Sequence, residues 1–553
     1  MSAEALQDRP LTDASAYVGE PGRIGRADGE AWDDEADVLV VGFGGAGACA
    51  ALEARNAGAD VLVLERFEGG GATALSGGVY YGGGTRQLRE AGYNDTPEAM
   101  YRYLKLEIGD TVRDETLRRY CDQSAANLEW LERHGVSFGS TVFKEKGWPP
   151  VGYHLYYSGN EKVPGYKDVT PPVPRGHRAV GPSFSGGVLF EALRRATLAA
   201  GVRVRTQTAA ARLVVDADGV VVGVEANALP PGSPAARKHR SLFRRVNAYL
   251  RFFPERAVRA GEEAAAIEGE AARPIRIRAR RGVILSSGSF TFNRAMVQRH
   301  APKYLDGLPI GALGCDGSGV KLGTSVGGAT RLLDKVSAWR SIAPPSSFVE
   351  GMVVNRAGRR FVAEDVYLGK LGYHIAEDQG GRAWVVVDRK AYRDAFAATI
   401  PGSGWLMFGA PLLANLLFNM KKGRTLAELA QRCGIDASGL EATARDYNAL
   451  ASAGQDALGK GRDYVRPLGA GPYHALDISI GSRGYPCPTI PMGGLVVDED
   501  SGAVMRPDGT TIPGLYAAGR AAVGIPSGFY VSGTAIADCV FSGRRAGRHA
   551  AGG

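Results

Sequence analysis

The stretch DVLVVGFGGAG, residues 37–47, decides the fold of this chain. Residues 38–41 are a continuous β-branched and aliphatic run, which predicts a buried parallel strand. The next residues form a G-x-G-x-x-G pattern from Gly42, Gly44 and Gly47. The apolar periodicity of residues 48–56 predicts a helix, and a second apolar strand, residues 61–64, ends in Glu65. Together these predict a complete βαβ unit with an acid at its tip.

Each part of this unit has a physical task in binding a dinucleotide. Gly42 makes the tight turn, Gly44 lets the backbone approach a pyrophosphate, and Gly47 lets the helix pack closely on the sheet. A phosphate would lie at the helix N-terminus, where free N–H groups and the helix dipole favour negative charge. Glu65 would accept hydrogen bonds from ribose hydroxyls. We assign three neighbours to the same site: Gly45, Ala46 and Arg66. The alternative is a purely structural glycine turn, which the complete unit disfavours.

A second glycine-rich loop, GGGATALSGG at residues 69–78, follows the acid directly. Its backbone N–H groups and hydroxyls carry little bulk and suit contact with phosphates and a flat ring. The cofactor-binding residues expected here are Ala72, Thr73, Ser76, Gly77 and Gly78. A flexible surface loop is the alternative. Because domains that bind only NAD do not usually need this second loop, it indicates FAD.

The composition is that of an ordinary globular protein with more than one domain. The chain has 553 residues, 44% of them hydrophobic and 22% charged. Its six cysteines are scattered without a C-x-x-C pattern, which predicts a reducing, cytoplasmic location, no disulfides and no metal site. The N-terminus carries no export signal, and the longest apolar run, residues 406–418, is too short to span a bilayer.

The order of motifs predicts an α/β protein in which a Rossmann-like FAD-binding domain is interrupted by an α+β catalytic (cap) domain. Residues 1–35 are expected to be a polar leader. The FAD-binding domain would comprise residues 36–335 and 481–553, with the substrate and catalytic domain at residues 336–480. Apolar strands that end on small residues should face the ligand crevice. Further cofactor contacts are therefore expected at Ala211, Ser287, Gly288, Gly519 and Arg520.

A basic insert, residues 230–272, lies outside this pattern. Much of the net charge of +8 falls between residues 237 and 259. In the same stretch four apolar residues share one helical face: Leu242, Val246, Leu250 and Phe253. The pattern resembles an interfacial helix that could rest on anionic lipid, which would place the protein peripherally at the membrane. A solvated helix packed on its own protein is the alternative. Nucleic acid is not expected, because the charge is local and no recognition module accompanies it.

An aromatic-rich segment with Tyr153, Tyr156, Tyr157 and Tyr166 could line an apolar pocket or simply pack a loop. The sequence leaves both interpretations open.

Several segments resemble the flavoprotein superfamily of fumarate reductases, succinate dehydrogenase flavoprotein subunits and 3-ketosteroid dehydrogenases. The matching segments are residues 37–47 with Glu65, 73–78, 314–319, 358–365 and 513–519. The resemblance implies FAD with its isoalloxazine between the two domains, and hydride transfer between a substrate carbon and flavin N5. It also implies cofactor contacts at Ala535 and Ile536.

Residues 528–538 distinguish the members of this superfamily. Fumarate reductases carry an Asn-Arg pair that grips a substrate carboxylate, whereas Phe529 and Tyr530 stand here. A phenol suits a steroid 3-ketone better than a dicarboxylate. Ser532 and Gly533 follow, and this Y-x-S pattern is similar to that of the 3-ketosteroid Δ4-(5α)-dehydrogenases, in which Tyr367 would also match an active-site tyrosine.

The resemblance implies removal of hydrogen from C4 and C5 of a 5α-3-ketosteroid. Tyr530, with a backbone N–H near Gly533, would stabilise the enolate, while Ser532 and Tyr367 would take the C4 proton. Tyr473 is expected to contact substrate, with Tyr485 as a runner-up. The rival interpretations are a 3-ketosteroid Δ1-dehydrogenase, a fumarate-reductase-like reductase of an unsaturated acid, and a non-catalytic flavin-binding protein. The electron acceptor is expected to be a quinone or another protein, since no second dinucleotide unit or haem-attachment motif is visible.

Overall fold

A nine-stranded sheet carries the glycine turn in the computed structural model of the chain, which describes residues 16–249, 254–400 and 409–552. Its strands are Gly22–Arg23, Asp34–Val41, Val61–Leu64, Arg203–Arg205, Thr208–Val215, Val221–Ala228, Arg273–Leu285, Ala503–Met505 and Thr511–Ala517. Asp34–Val41 pairs in parallel with Val61–Leu64 on one side and Arg273–Leu285 on the other. The predicted parallel Rossmann-like sheet is therefore confirmed.

The βαβ unit forms as the apolar pattern predicts. The helix Gly45–Asn56 follows the turn and buries most of its small residues. It packs against the last long helix, Thr534–Ala550, at very short range. A Cβ atom added at Gly543 would lie 2.5 Å from the Ala46 carbonyl oxygen, and one at Gly547 would lie 2.3 Å from that of Ala50. Glycine is therefore required on the second helix for the two backbones to approach this closely.

The strand Arg273–Leu285 is longer than the sequence suggests. The alternating residues 275–279 and the apolar residues 282–285 read as two strands, but the chain continues through them as one, with an irregular register between Ala279 and Gly282. Its first half pairs with the strand Val221–Ala228 and its second half with Thr511–Ala517. One strand thus joins the two sequence segments of the nucleotide domain.

The polar leader is partly ordered structure, which corrects the expectation for its second half. Gly22–Arg23 pairs in parallel with Val214 and Val215, adding an edge strand. The Ala16 N–H donates to Asp316 Oδ2 (2.8 Å). Polar residues can form this edge strand because it only has to pair with the free backbone N–H and C=O groups of an existing strand and does not have to form a hydrophobic core. Residues 1–15 lie outside the described residues.

A second domain has its own sheet and core. Its antiparallel sheet consists of Met352–Val354, Trp384–Val387, Lys421–Gly423 and Tyr473–Asp477. Smaller sheets are formed by Val79–Tyr81, Val142–Phe143, Leu155–Tyr156 and Gly176–Arg178; by Leu308–Pro309, Val336–Ala338 and Pro488–Pro491; and by Thr330–Arg331 with Gly494–Leu495. The smaller sheets and the connecting loops bring the two domains together around one cavity.

The remaining helices connect and cover these sheets. They are Gly71–Leu75, Arg86–Glu90, Pro97–Ile108, Asp114–Asp122, Ser124–Arg133, Gly186–Ala199, Pro234–Tyr249, Pro254–Ala271, Arg294–His300, Ser318–Ser325, Ser346–Val349, Leu368–Asp378, Arg389–Ala395, Gly409–Ala414, Leu426–Cys433 and Ala437–Ala451. Within the described ranges, none of the helices is long and apolar enough to cross a bilayer. The same part of the chain contains no cluster of metal-ligating side chains.

Candidate active site

The glycine turn forms a cradle that no larger residue could occupy. Gly42 has φ +101°, and a Cβ atom there would meet the Ser286 and Ser287 backbone at 2.8–2.9 Å. A Cβ atom at Gly47 would lie only 2.0 Å from the Gly42 carbonyl oxygen. Gly44 caps the helix Gly45–Asn56 without a side-chain hydrogen bond. Of the first backbone N–H groups, only that of Gly45 donates to an oxygen atom of the described chain, in Thr73, which leaves the N–H groups of Ala46 and Gly47 for a ligand. This geometry suits a pyrophosphate.

Glu65 lies at the tip of its strand, as the sequence predicts. Its Oε2 accepts from the Phe43 N–H and its Oε1 from the Phe67 N–H, both at 2.8 Å. Burial raises the pKa of Glu65, although these two donors and Arg66 oppose the rise. Each carboxylate oxygen keeps further acceptor capacity beside the cavity, which is what a pair of ribose hydroxyls requires.

The second glycine loop folds back onto the first. Gly69, Gly70 and Gly71 all have positive φ angles, and the Gly70 N–H donates to the Phe43 carbonyl (2.8 Å). Thr73 Oγ1 accepts from the Gly45 N–H at the start of the first helix (3.1 Å). The two loops therefore form one continuous backbone surface.

One elongated cavity of about 670 Å³ runs from these loops to a group of hydroxyl-bearing residues between the domains. The nucleotide end presents glycines, helix N–H groups and the buried acids Glu65 and Asp316. A Cβ atom added at Gly44 would meet no protein atom closer than the Gly70 carbonyl oxygen, at 3.9 Å, so this glycine leaves open space at the helix N-terminus that a pyrophosphate could occupy. The residues present therefore fit FAD, with the nucleotide along the loops and the reactive ring toward the second domain.

The far end of the cavity is lined by aromatic rings and hydroxyls. Tyr530 stacks on Trp339, with ring centroids 5.6 Å apart and an angle of 15° between the planes. Burial raises the pKa of Tyr530, although the Gly533 backbone N–H and Arg520 oppose the rise. Its phenol therefore stays neutral and able to donate a hydrogen bond at physiological pH. This is the state needed to bind a ketone oxygen.

Ser532 has a partner that sequence reasoning did not assign to it. Its Oγ lies 3.0 Å from Tyr156 Oη, across 376 residues of chain. Tyr156 is buried in the strand Leu155–Tyr156, and burial raises its pKa. The aromatic-rich segment thus lines the pocket through Tyr156 and Tyr157. The tyrosine content of this segment was the sequence signal that it could line a pocket. No feature of the sequence indicated that Tyr156 pairs with Ser532.

Tyr367 also lies on the cavity wall. It precedes the helix Leu368–Asp378, and its N–H donates to Asn160 Oδ1 (2.6 Å). Burial raises the pKa of its phenol well above the usual value, with Tyr530 and Tyr156 adding to the rise. The phenol is therefore neutral, which makes Tyr367 unsuited to act alone as a base.

A buried polar network lies behind this wall. Tyr81 donates to Glu161 Oε1 (3.3 Å), and Glu161 Oε2 accepts from the Gly159 N–H (2.8 Å). Burial raises the pKa of Glu161 to about 7. Lys146 contacts the Asp365 and Val366 carbonyls, and burial lowers its pKa to about 8. Burial thus moves the pKa values of both groups toward neutral pH.

The structure brings most of the predicted residues to the cavity. Those on its wall are Gly42, Gly44, Gly45, Ala46, Glu65, Arg66, Ala72, Thr73, Ser76, Gly77, Ser287, Gly288, Arg520, Tyr367, Tyr485, Tyr530, Ser532, Gly533, Ala535 and Ile536. Four other predicted residues do not line the cavity: Gly47, Gly78, Ala211 and Gly519. Wall residues that the sequence did not single out include Lys146, Trp148, Trp339 and Arg340.

Tyr473 lies apart from the cavity. It belongs to the strand Tyr473–Asp477 of the second domain, where it pairs with Gly423 and packs on a core that includes Leu429 and Trp384. The strand period turns it toward that core rather than toward the interdomain space.

Two of the four residues on the apolar face of the basic insert are described, and both pack against the rest of this protein. Leu242 and Val246 are buried in a cluster with Phe67 and Leu313. Leu250 and Phe253 lie outside the described residues. Burial of half of this face favours a helix packed on the protein over one lying in a lipid interface.

The fold and the cavity define an FAD-dependent oxidoreductase. Its residues 37–535 match the family model described as FAD binding domain, and the chain belongs to this family. It is 42% identical over 525 residues to the 3-oxo-5-alpha-steroid 4-dehydrogenase of Comamonas testosteroni, covering 91% of this chain and 96% of that protein. The 3-oxosteroid 1-dehydrogenase of Mycobacterium tuberculosis is 29% identical over 549 residues, covering 88% of this chain and 92% of that protein.

A solved structure shows the same architecture. The crystal structure of the 3-ketosteroid-Δ4-(5α)-dehydrogenase of Rhodococcus jostii, in complex with 4-androstene-3,17-dione, matches with a TM-score of 0.79 and 31% identity. The match covers 96% of this chain and 99% of that one. The predicted fold class and FAD as cofactor are thus confirmed.

Proposed function

We propose that this protein introduces the C4–C5 double bond into 3-keto-5α-steroids. The observation that carries the proposal is the neutral, buried phenol of Tyr530 on the cavity wall, together with the paired hydroxyls of Ser532 and Tyr156 on the same wall. The relatives named for the same 4-dehydrogenation support this choice of substrate and bond.

In this proposal Tyr530 donates a hydrogen bond to the 3-keto oxygen, together with the Gly533 N–H. The C4 proton is acidic because loss of it places charge on that oxygen, which these donors stabilise. Donors fixed in a dry site need no reorganisation as the charge develops. FAD, when bound, supplies the acceptor for the hydride that leaves C5.

Ser532 Oγ receives the C4 proton as it passes its own hydroxyl proton to Tyr156 Oη, and Tyr156 releases its phenolic proton to solvent water in the same relay. Because burial raises the pKa of Tyr156 and disfavours its charged form, one proton must leave as the other arrives, and both residues end the step neutral. Tyr367 lies on the same wall, but its neutral phenol would take this proton only while passing its own proton to another group. The hydrogen bond between Ser532 and Tyr156 favours the first route.

A dicarboxylate substrate is disfavoured by the hydrogen bonds that Arg340 makes on the cavity wall. Arg340 lines the substrate end, but its Nη1 donates to the Tyr485 carbonyl (2.6 Å) and its Nη2 to the Ser479 carbonyl (2.7 Å). A guanidinium engaged in this way lacks the free fork that grips a carboxylate. This favours the ketosteroid over an unsaturated acid.

The decisive experiment is an anaerobic titration of the purified holoenzyme with 5α-androstane-3,17-dione, following the absorbance of oxidised flavin. We expect bleaching with 4-androstene-3,17-dione as product. The matched control is the 3β-hydroxy analogue, which lacks the ketone that Tyr530 would bind and should leave the flavin oxidised. Bleaching by 4-androstene-3,17-dione to give the 1,4-diene would assign Δ1 chemistry instead. Reoxidation of pre-reduced flavin by fumarate would assign a reductase.

We further infer that electrons leave to a quinone or to another protein, because the sequence holds a single dinucleotide-binding unit. Reoxidation of the steroid-reduced enzyme by a soluble quinone, but not by NADP⁺, is the expected result in stopped-flow mixing. Reoxidation by NADP⁺ at a comparable rate would contradict it.

A further inference from the structure

The helical insert, residues 230–272, is fastened to the residues that follow the ribose-binding acid. It contains the helices Pro234–Tyr249 and Pro254–Ala271, which pack on each other. Arg66 forms a two-pronged ion pair with Glu268, at 2.9–3.1 Å. Glu268 Oε1 also contacts His239 Nε2 (2.8 Å), which ties the two helices to one another.

Aromatic stacking reinforces this attachment. Phe67 stacks against His239 (ring centroids 5.3 Å apart) and against Phe243 (4.9 Å). Gln207 Nε2, from the strand edge beside Phe67, donates to the Ala236 carbonyl (2.8 Å). The first helix of the insert is therefore held by contacts along most of its length.

The insert also forms part of the cavity wall. Phe243 and Asn247, one turn apart on the first helix, line the cavity at the end that holds Glu65 and the backbone of residues 208–210. The Asn247 side-chain amide makes no hydrogen bond to the described part of the chain. An amide offers a donor and an acceptor side by side, the pattern that the edge of an adenine presents in return.

We propose that the first helix of the insert, Pro234–Tyr249, covers the adenosine end of the FAD site, with Phe243 and Asn247 as its adenine-contacting wall, and that it thereby slows the release of FAD. The position of Glu65 identifies this end of the cavity as the adenosine end, because the acid at the strand tip contacts the adenosine ribose. This assigns a role to a segment that the superfamily pattern does not include. The proposal rests on FAD binding and is independent of the steroid chemistry.

The test measures how fast the diluted holoenzyme loses FAD, as the flavin absorbance that stays with the protein after timed gel filtration. Asn247→Ala should release FAD about tenfold faster, the loss expected for one well-placed hydrogen-bonding group. Phe243→Ala should release it faster still. Arg245→Ala is the matched control, since this exposed residue sits on the same helix but off the cavity wall. It should release FAD at the wild-type rate.

Release at the wild-type rate from both wall variants would overturn the proposal. So would equally fast release from Arg245→Ala, because the insert would then matter only for general stability. If Phe243→Ala does not fold, Asn247→Ala decides alone, since its amide lies on the cavity wall rather than in the apolar cluster.

Discussion

The two ends of the cavity are built from different chemical groups. The nucleotide end uses backbone N–H groups and glycines, and its glycine turn brings together residues close in sequence, such as Gly42 and Gly47. The substrate end uses side-chain hydroxyls from distant segments, such as Tyr156 and Ser532. We therefore expect the nucleotide end to lose FAD when a side-chain atom is added there, and the substrate end to lose activity when a hydroxyl is removed.

Gly47→Ala should give the largest effect, because its Cβ would meet a backbone oxygen at 2.0 Å. We expect a loss of at least about 3 kcal/mol in the free energy of unfolding, with FAD no longer retained. Denaturant unfolding measures the change in the free energy of unfolding, and the flavin content of the purified protein measures FAD retention. Gly269→Ala, where a Cβ meets open space, is the matched control and should be neutral or slightly stabilising. A normal holoenzyme from Gly47→Ala would remove the steric argument.

Tyr530→Phe tests the substrate end of the cavity. The ring keeps its stack on Trp339 but loses the donor to the ketone, so turnover should fall about 10²- to 10³-fold while FAD remains bound. Steady-state kinetics with 5α-androstane-3,17-dione measures the change. Turnover within threefold of wild type would exclude Tyr530 from enolate stabilisation.

Tyr156→Phe should lower turnover about 10- to 100-fold, because the hydroxyl that relays the proton from Ser532 is lost. A double variant with Ser532→Ala should be no slower than Ser532→Ala alone, since both act in one step. Fully multiplicative losses would show that the two hydroxyls act separately, and an unchanged Tyr156→Phe alongside an impaired Tyr367→Phe would assign the relay to Tyr367.

Glu161→Gln should change how stability depends on pH. Burial raises the pKa of Glu161 from 4.5 to about 7 in the folded protein, so the folded state holds its proton more tightly. The resulting stability is present below pH 4.5 and is lost as the pH rises through 7, by about 3 kcal/mol. A neutral glutamine should therefore flatten the fall in unfolding free energy between pH 5 and 8. Denaturant unfolding at both pH values measures this, and an unaltered slope would contradict it.

Tyr473→Phe should have the smallest effect. The residue packs in the second domain away from the cavity, so kcat/KM for the steroid should stay within about twofold of wild type. A tenfold rise in KM would restore the sequence-based expectation that Tyr473 contacts substrate.

The nucleotide end could be predicted in detail from sequence. Strand, turn, helix and acid follow one another within thirty residues, and each is dictated by local sterics and apolar periodicity. The family resemblance predicted the residues of the substrate end, but it did not predict their hydrogen-bonding partners. The partner of Ser532 comes from a strand 376 residues away, and no local rule connects the two.

The amino-acid sequence by itself determined the parallel strand, the glycine cradle and Glu65, because these depend on neighbouring residues and on the space that a side chain would occupy. Only the tertiary structure decided that residues 16–33 join the sheet edge, that Tyr473 faces another core and that the insert packs beside Glu65. Each of these outcomes depends on which surfaces the folded chain brings together, and periodicity alone shows only that a face is apolar, never what covers it.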